Sequence, residues 1–317
     1  MNFSRRHFMG LMAGTSLCLA AGHAFAASNS IDESGFVLIG GIEQWISIQG
    51  RDRANPVILY LHGGPGEAQS PFLSDFLPWQ RDFTVVNWDQ RGAGKTYEKN
   101  GDATPDVTLD RLTDDAIELT EYIASKLGTK KLVLMGQSAG TVLGLKVAQR
   151  RPDLYHAYVG TAQVVSVMRG ALWQEKRANV PPTHDGAEMK ALHQWAITSP
   201  PDQPYIKRQM EFMGSPEQPK PAAASWVKGY LFESGKLGKD VQAFDAMTSA
   251  LDLAVPYILI QGREDRVTPS EVAKEYFDKV RSKGKAYVPL EGGHYACFTN
   301  ADSFVVALRK YVRPLVS

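Results

Sequence analysis

Cysteine is almost missing from this chain: Cys18 and Cys297 are the only two in 317 residues. With Cys18 lost in a leader segment, no internal disulfide can form, whatever the redox state of the compartment. Charge of one sign is also missing, since 35 Lys and Arg stand against 34 Asp and Glu. That balance gives no reason to expect a nucleic acid or another polyanion as partner. There is no Cys and His cluster at metal-ligand spacing, no G-x-x-x-x-G-K-[ST] phosphate loop, no heptad run and no internal repeat. Neither a metal nor an organic cofactor is expected. What remains is a chain long enough for one large α/β domain, or one domain with an insertion.

The N-terminus reads as a targeting segment rather than as fold. Arg5 and Arg6 precede a mildly apolar stretch to Ala21, and Ala24-Phe25-Ala26 offers the small residues a signal peptidase reads. Paired arginines there point to twin-arginine export and a periplasmic or secreted destination. The stretch is shorter than the ~20 residues a spanning helix requires, so no stable membrane anchor is expected after cleavage. Loss of residues 1–26 removes Arg5 and Arg6 from the 35 basic residues and leaves 33 against 34 acidic ones.

The chain is organised around residues 131–150, KLVLMGQSAGTVLGLKVAQR. Leu132 to Met135 has the length and branching of a buried strand, and Thr141 to Gln149 carries the apolar spacing of a helix packed on a sheet. Between them stands Gly136-Gln137-Ser138-Ala139-Gly140. Strand, G-x-S-x-G, helix is the nucleophile-elbow arrangement, whose sharp turn lifts the serine hydroxyl clear of the backbone. Ser138 is therefore the candidate nucleophile. A neutral serine is a weak one, so the chain must also supply a base, a group orienting that base, and donors for a developing oxyanion.

Candidates for each follow further predicted strands. Phe36 to Ile39 and Glu43 to Ile48 form a hairpin at a sheet edge. Val57 to Leu61 is a strand buried on both faces, and it ends in His62-Gly63-Gly64-Pro65-Gly66. If that strand lies beside the nucleophile strand, the backbone N–H groups of Gly64 and Ala139 form the oxyanion hole. His62 is read as a support for its own loop. Phe83 to Trp88 runs into Asp89-Gln90-Arg91-Gly92-Ala93-Gly94, a turn whose charged residues brace it. Thr108 to Leu127 is a one-sided helix ended by Gly128, and His156 to Gly160 is the next strand. Tyr257 to Ile260 leads to Asp265 and a helix from Ser270 to Val280. Lys285 to Leu290 leads to Gly292-Gly293-His294, and a last helix spans Ala301 to Tyr311.

Ser138, Asp265 and His294 thus each follow the carboxyl end of a predicted parallel strand, the edge where open α/β sheets bind ligands. His294 can take the serine proton and return it to a leaving group, while Asp265 fixes the imidazole tautomer. Glu264 is the alternative acid. His156, His184 and His193 lack the strand-end Gly-Gly context or lie in the insertion. Cys297, three residues after His294, is read as a small buried core residue; the competing reading is a thiol whose modification by bulky reagents would disturb the base.

From about Gln163 to Leu253 the character changes. Eight of the eighteen prolines fall between Pro181 and Pro221, Trp173, Trp195 and Trp226 are clustered there, and strand signals vanish. This segment is expected to be a helical cap over the site, its Met and Trp residues sealing it to the core rather than lining a pocket. The division expected is a leader, 1–26, a core in two parts, 27–162 and 254–317, and the cap, 163–253.

His62-Gly63-Gly64-Pro65-Gly66 together with Asp89-Gln90-Arg91-Gly92-Ala93-Gly94, and the later Gly262-Arg263-Glu264-Asp265 and Gly293-His294, resemble the proline iminopeptidase branch of the α/β-hydrolase fold. The resemblance covers both halves of the core. It implies an α/β-hydrolase sheet with an inserted cap, Ser138, Asp265 and His294 as the triad, Gly64 as an oxyanion donor, and release of an N-terminal residue, often proline, from short unblocked substrates. It departs at the elbow, where such enzymes commonly carry G-G-S-W-G, and at Lys95-Thr96, where their loop usually ends in serine. It also implies acidic cap residues that hold the substrate's free α-ammonium; Glu175, Glu188, Glu211, Glu217 and Glu233 are the candidates. Two other readings compete: a carboxylesterase or other small ester or amide hydrolase with the same triad, and a binding protein that kept the fold without turnover.

Overall fold

In the computed structural model, residues 29–178, 187–214 and 218–316 are described. The leader segment, His184, Glu217 and the side chain of Glu188 lie outside them.

The sheet starts with a hairpin, Ile31–Ile39 (β1) against Ile42–Gly50 (β2), antiparallel around Gly40 and Gly41. Both glycines have positive φ, 57° and 79°, as two-residue hairpin turns require. Then come Val57–Leu61 (β3), Thr84–Trp88 (β4), Leu132–Gln137 (β5) and Tyr155–Thr161 (β6). Asp252–Leu253 (β7) and Arg281–Ser282 (β9) make a separate two-stranded ladder, while Tyr257–Gly262 (β8) and Lys285–Leu290 (β10) complete the main sheet. Its order is β1-β2-β4-β3-β5-β6-β8-β10. From β4 to β10 all neighbours are parallel. The chain moves outward from β3 to β4, then jumps back over β3 to β5. This reversal opens a crevice at the carboxyl ends of β3 and β5, the usual ligand position in such sheets.

Eleven helices accompany the strands: Gly94–Asn100 (α1), Leu109–Leu127 (α2), Gly140–Arg150 (α3), Val167–Ala178 (α4), Ala187–Ile197 (α5), Gln203–Met213 (α6), Ala224–Ala243 (α7), Ala246–Ser249 (α8), Ser270–Lys279 (α9), Ala296–Thr299 (α10) and Ala301–Tyr311 (α11), among the described residues. Side chains alternate across the sheet, so each strand feeds two cores. Leu59, Leu132, Leu134 and Leu259 pack with Leu112, Leu119 and Ile123 of α2, Val147 of α3 and Tyr276 of α9. Ile58, Val133, Met135 and Ile260 point the other way, onto Phe304 and Leu308 of α11 and onto Trp79. Coverage of both faces explains why these strands read as unbroken apolar runs.

The expected helix to Leu127 is capped at both ends: the Thr108 hydroxyl accepts from the Arg111 N–H at 3.2 Å, and Gly128 ends it at φ 68°. Helix α1 was not legible, because its first residues belong to the Gly-rich turn. Asp89 starts it by accepting the Lys95 N–H at 2.8 Å, and its carbonyl takes the Thr96 hydroxyl at 2.6 Å. Asp89 and Arg91 both brace this turn, through different partners. Arg91 reaches Asp115 of α2 at 2.6 Å and the Gly40 carbonyl at 2.8 Å.

The cap is helical, with α4 to α8 between β6 and β7. Three of its described prolines mark starts: Pro200 and Pro221 open single 3-10 turns, and Pro204 sits in the first turn of α6, where no N–H is missed. The Trp226 indole donates to the Ala68 carbonyl at 2.8 Å and packs with Phe72, Ala93 and Val227. Trp173 and Trp195 pair within the cap at 6.3 Å. The Trp226 contacts fasten the cap to the core as expected, but Trp173 and Trp195 meet each other inside the cap, and Met168 and Met210, also expected to seal it, are exposed.

Candidate active site

The elbow joins a strained serine to flanking positions where only glycine fits. Ser138 holds φ at +53°, a strained value for a residue with a side chain. A Cβ on Gly136 would meet the Gly140 carbonyl oxygen at 2.6 Å, and one on Gly140 would meet the Leu61 carbonyl oxygen at 2.2 Å. Strand β3 and the start of α3 therefore touch backbone to backbone. Gly140→Ala is expected to cost roughly 1–3 kcal/mol of stability through overpacking, read from urea unfolding, and to reduce turnover by displacing Ser138. An unchanged midpoint would show that the contact can relax.

Ser138 stands beside His294, its Oγ 2.9 Å from Nε2. The other imidazole nitrogen, Nδ1, lies 3.1 Å from both Asp265 oxygens. Asp265 is itself fixed by the Val267 and Thr268 N–H groups at 2.9 and 2.8 Å, the Thr268 hydroxyl at 2.7 Å and the Gln261 amide at 3.0 Å. All three side chains are buried, Ser138 being the most open at 9%. Burial pulls the His294 imidazole toward lower pKa, but the Asp265 carboxylate, with smaller help from Asp202 and Glu67, carries it above its ordinary value. A ring so placed can take up a proton at Nε2 while the Asp265 carboxylate stabilises the imidazolium that forms.

The neighbouring loop follows from the pairing of Leu61 with Gly136. A Cβ on Gly63 would stand 2.9 Å from the Ser138 Cβ, so the loop after β3 lies directly against the serine. Gly64 and Ala139 line a cleft of about 230 Å³ with Ser138. Among the described residues neither of their N–H groups donates to a backbone acceptor. His62 supports this loop: Nδ1 lies 3.0 Å from the Gly63 carbonyl and Nε2 accepts the Gln90 N–H at 3.2 Å. Burial lowers His62 to about 4, so it stays neutral.

The other histidines take different places. His193 of α5 faces the cleft, and His156 lies at the opposite end of β6 beside Leu315. Glu264 is exposed where its neighbour Asp265 is buried. Cys297 is wholly buried in the core with Phe304 and Leu308, and burial pushes its thiol well above the usual range; the surface needed for attack by a bulky reagent is missing.

Of the cap acids, Glu175 and Glu211 are exposed. Glu233 is fully buried on α7, and neither carboxylate oxygen has a hydrogen-bond partner among the described residues. Burial, reinforced by the charge of Asp89, pushes it well above the carboxylate range. Its helix lies on the loop after β3: the Ser234 hydroxyl donates to the Pro65 carbonyl, and Tyr230 backbone abuts Gly66. Two acids were not singled out from the sequence. Glu67 follows the Gly-rich loop directly, a signal that was available; it accepts from the Gln209 amide and, at 3.5 Å, from the Tyr295 hydroxyl. Asp202 sits in a Pro-Pro-Asp turn of the cap that carries no motif.

The cleft beside Ser138 is lined chiefly by Val164, Val165, Val167, Val241 and Val272, with Gln163, Gln174 and Thr268 as polar groups. No carboxylate is among its described lining residues.

Comparison with known proteins agrees with this architecture. The chain is 27% identical over 303 residues to "Probable aminopeptidase YbaC" of Bacillus subtilis (strain 168), covering 87% of this chain and 94% of that protein. It is 24% identical over 294 residues to the proline iminopeptidase of Lactobacillus helveticus, with 86% and 95% covered. The crystal structure of proline iminopeptidase from Mycobacterium smegmatis superposes with a TM-score of 0.62 at 18% identity, covering 89% of this chain and 98% of that one, and so shares the α/β-hydrolase fold. The family described as Serine aminopeptidase, S33, matches residues 57–300, which spans the cap and most of both core parts. This chain is a hydrolase and belongs to the S33 serine aminopeptidase family.

Proposed function

We propose that the chain is a serine aminopeptidase of proline iminopeptidase type, acting outside the cytoplasm behind a cleaved twin-arginine leader. The observation that carries the reading is the unbroken line from Ser138 Oγ through His294 to Asp265. Ser138 attacks the carbonyl carbon of the substrate's first residue while His294 Nε2 takes the hydroxyl proton. The oxyanion is held by the Gly64 and Ala139 N–H groups. His294 then passes its proton to the departing amine, and an acyl-enzyme remains on Ser138. Water, deprotonated by His294, hydrolyses that ester and frees the serine.

Glu233 supports the peptidase form of this chemistry. A buried carboxylate without partners is costly, and the α-ammonium of a peptide would supply the missing charge and donors. The test is a panel of proline, alanine and leucine p-nitroanilides beside N-acetylproline p-nitroanilide and p-nitrophenyl butyrate. Free-amine substrates alone should turn over well. Glu233→Gln should lower kcat/KM for them about 30-fold or more, equivalent to about 2 kcal/mol for one lost partner of a buried charge pair, with the butyrate rate unchanged. Equal losses on both substrate types would remove the amine-binding role.

A second reading has its own observation. The aliphatic lining of the cleft beside Ser138, with no carboxylate among its described residues, suits an acyl chain as well as a proline ring. Hydrolysis of the butyrate with silence on every free-amine anilide would favour a carboxylesterase. Silence on the whole panel, with no covalent labelling of Ser138, would revive the binding-protein alternative.

A further inference from the structure

The turn Ser199–Asp202 belongs to the cap, yet its side chains end on the two core loops that carry the acid and the base. Asp202 is buried to 1% exposure. Its Oδ2 accepts the backbone N–H of His294 at 2.8 Å and its Oδ1 accepts that of Tyr295 at 2.9 Å. It stands at the start of α6 but makes no side-chain bond to that helix, so both oxygens are spent on the histidine loop. The approach is close enough that a Cβ on Gly293 would meet Oδ2 at 2.2 Å; glycine at 293 makes room for the carboxylate. Three residues earlier, the buried Ser199 hydroxyl reaches the Glu264 carbonyl at 3.4 Å, beside Asp265. One cap turn thus grips both halves of the acid–base pair by their main chains.

We propose that Asp202 is a positioning residue for His294, a latch by which the docked cap sets the loop bearing the base. It touches neither substrate nor reacting atoms. This rests on the reading of His294 as the base of Ser138. Two charge-assisted bonds to adjacent N–H groups fix the direction in which the loop leaves β10, and with it the separation of Nε2 from Oγ. The carboxylate also contributes charge. His294 is faced by Asp265 from the loop after β8, by Asp202 from the cap turn, by Glu67 from the loop after β3 and by His193 from α5; the three carboxylates raise its proton affinity. Burial pushes Asp202 itself upward, while the two N–H donors and His294 oppose that shift. Activity needs neutral His294, so loss of the Asp202 charge should move the acid limb to lower pH.

The test follows the rate at which a fluorophosphonate labels Ser138 as a function of pH, which reads nucleophile activation without knowledge of the substrate. His294→Ala is the control. Asp202→Asn keeps the shape, removes the charge and turns an N–H group toward one donor. It should slow labelling up to about 100-fold, the scale of a 1 Å misplacement, and shift the acid limb downward, with near-UV circular dichroism unchanged. Asp202→Glu, which keeps the charge on a longer arm, should slow labelling with the acid limb in place; it decides the matter if the Asn chain does not fold. Wild-type rate and acid limb in Asp202→Asn, or a wild-type rate in Asp202→Glu when the Asn chain is unfolded, would overturn the latch while His294→Ala still abolishes labelling. Labelling that survives His294→Ala would overturn the underlying reading of the site, and the latch with it.

Discussion

Ser138→Ala is expected to lower kcat on the best substrate by roughly four to six orders of magnitude. The expectation follows from the way the three side chains depend on one another. Without Oγ there is nothing for His294 to deprotonate, and Asp265, fixed by four donors besides the imidazole, cannot substitute. His294→Ala should cost about the same, and the Ser138, His294 double variant no more than either alone, because groups that act as a unit are not additive. The residual rate reports what the Gly64 and Ala139 donors and binding achieve without a nucleophile. Steady-state kinetics with active-site titration provides the measurement. A Ser138→Ala protein that keeps more than a few per cent of wild-type turnover would remove the serine from the mechanism.

Arg91→Met is expected to destabilise the fold by about 3–5 kcal/mol, the cost of leaving a buried carboxylate without its partner. Arg91 is 1% exposed and its pairing with Asp115 is two-pronged, at 2.6 and 3.1 Å. Its remaining donors go to the Gly40 and Pro105 carbonyls at 2.8 and 3.0 Å, so one side chain joins the turn after β4, the edge hairpin and α2. Asp115 keeps Arg111 at 2.8 Å and Gln44 at 2.9 Å, which places the effect toward the lower end of that range. Against a typical total of about 5–15 kcal/mol for a domain, the loss should be plain in urea unfolding. Arg91→Met combined with Asp115→Leu should recover part of it, since apolar pairs of similar volume often replace buried ion pairs well. A midpoint within error of wild type in the single variant would mean the charge is solvated.

The fold was legible wherever local pattern and tertiary environment agree. The strands β3, β5 and β8 are buried on both faces and advertise it in apolar runs; α2 carries its caps, and α11 begins and ends where its apolar spacing does. The order Ser138, Asp265, His294 was legible for the same reason, since each residue follows the carboxyl end of a strand whose boundary Gly or charged residues mark. Helix α1 was hidden because its start is supplied by Asp89 and not by its own sequence. The burial of Glu233, which sets it apart from the exposed Glu175 and Glu211, comes from the packing of α7 on the Gly-rich loop, which no spacing on α7 encodes. Asp202 was invisible for a stronger reason: its partners are backbone N–H groups 92 and 93 residues away, and a backbone N–H has no residue type to recognise.

That same long separation bears on when activity can appear. Ser138 and His294 are 156 residues apart, and the histidine follows β10, an edge strand of the sheet and the last strand among the described residues. Closing so long a loop is slow and must precede any reward from the contact. If His294 is the base of Ser138, as proposed, a chain that has made the elbow and the cap but not β10 carries a hydroxyl with nothing to activate it. On the proposed reading of His294 as the base, pairing of the serine with it thus waits for the strand that closes this edge of the sheet.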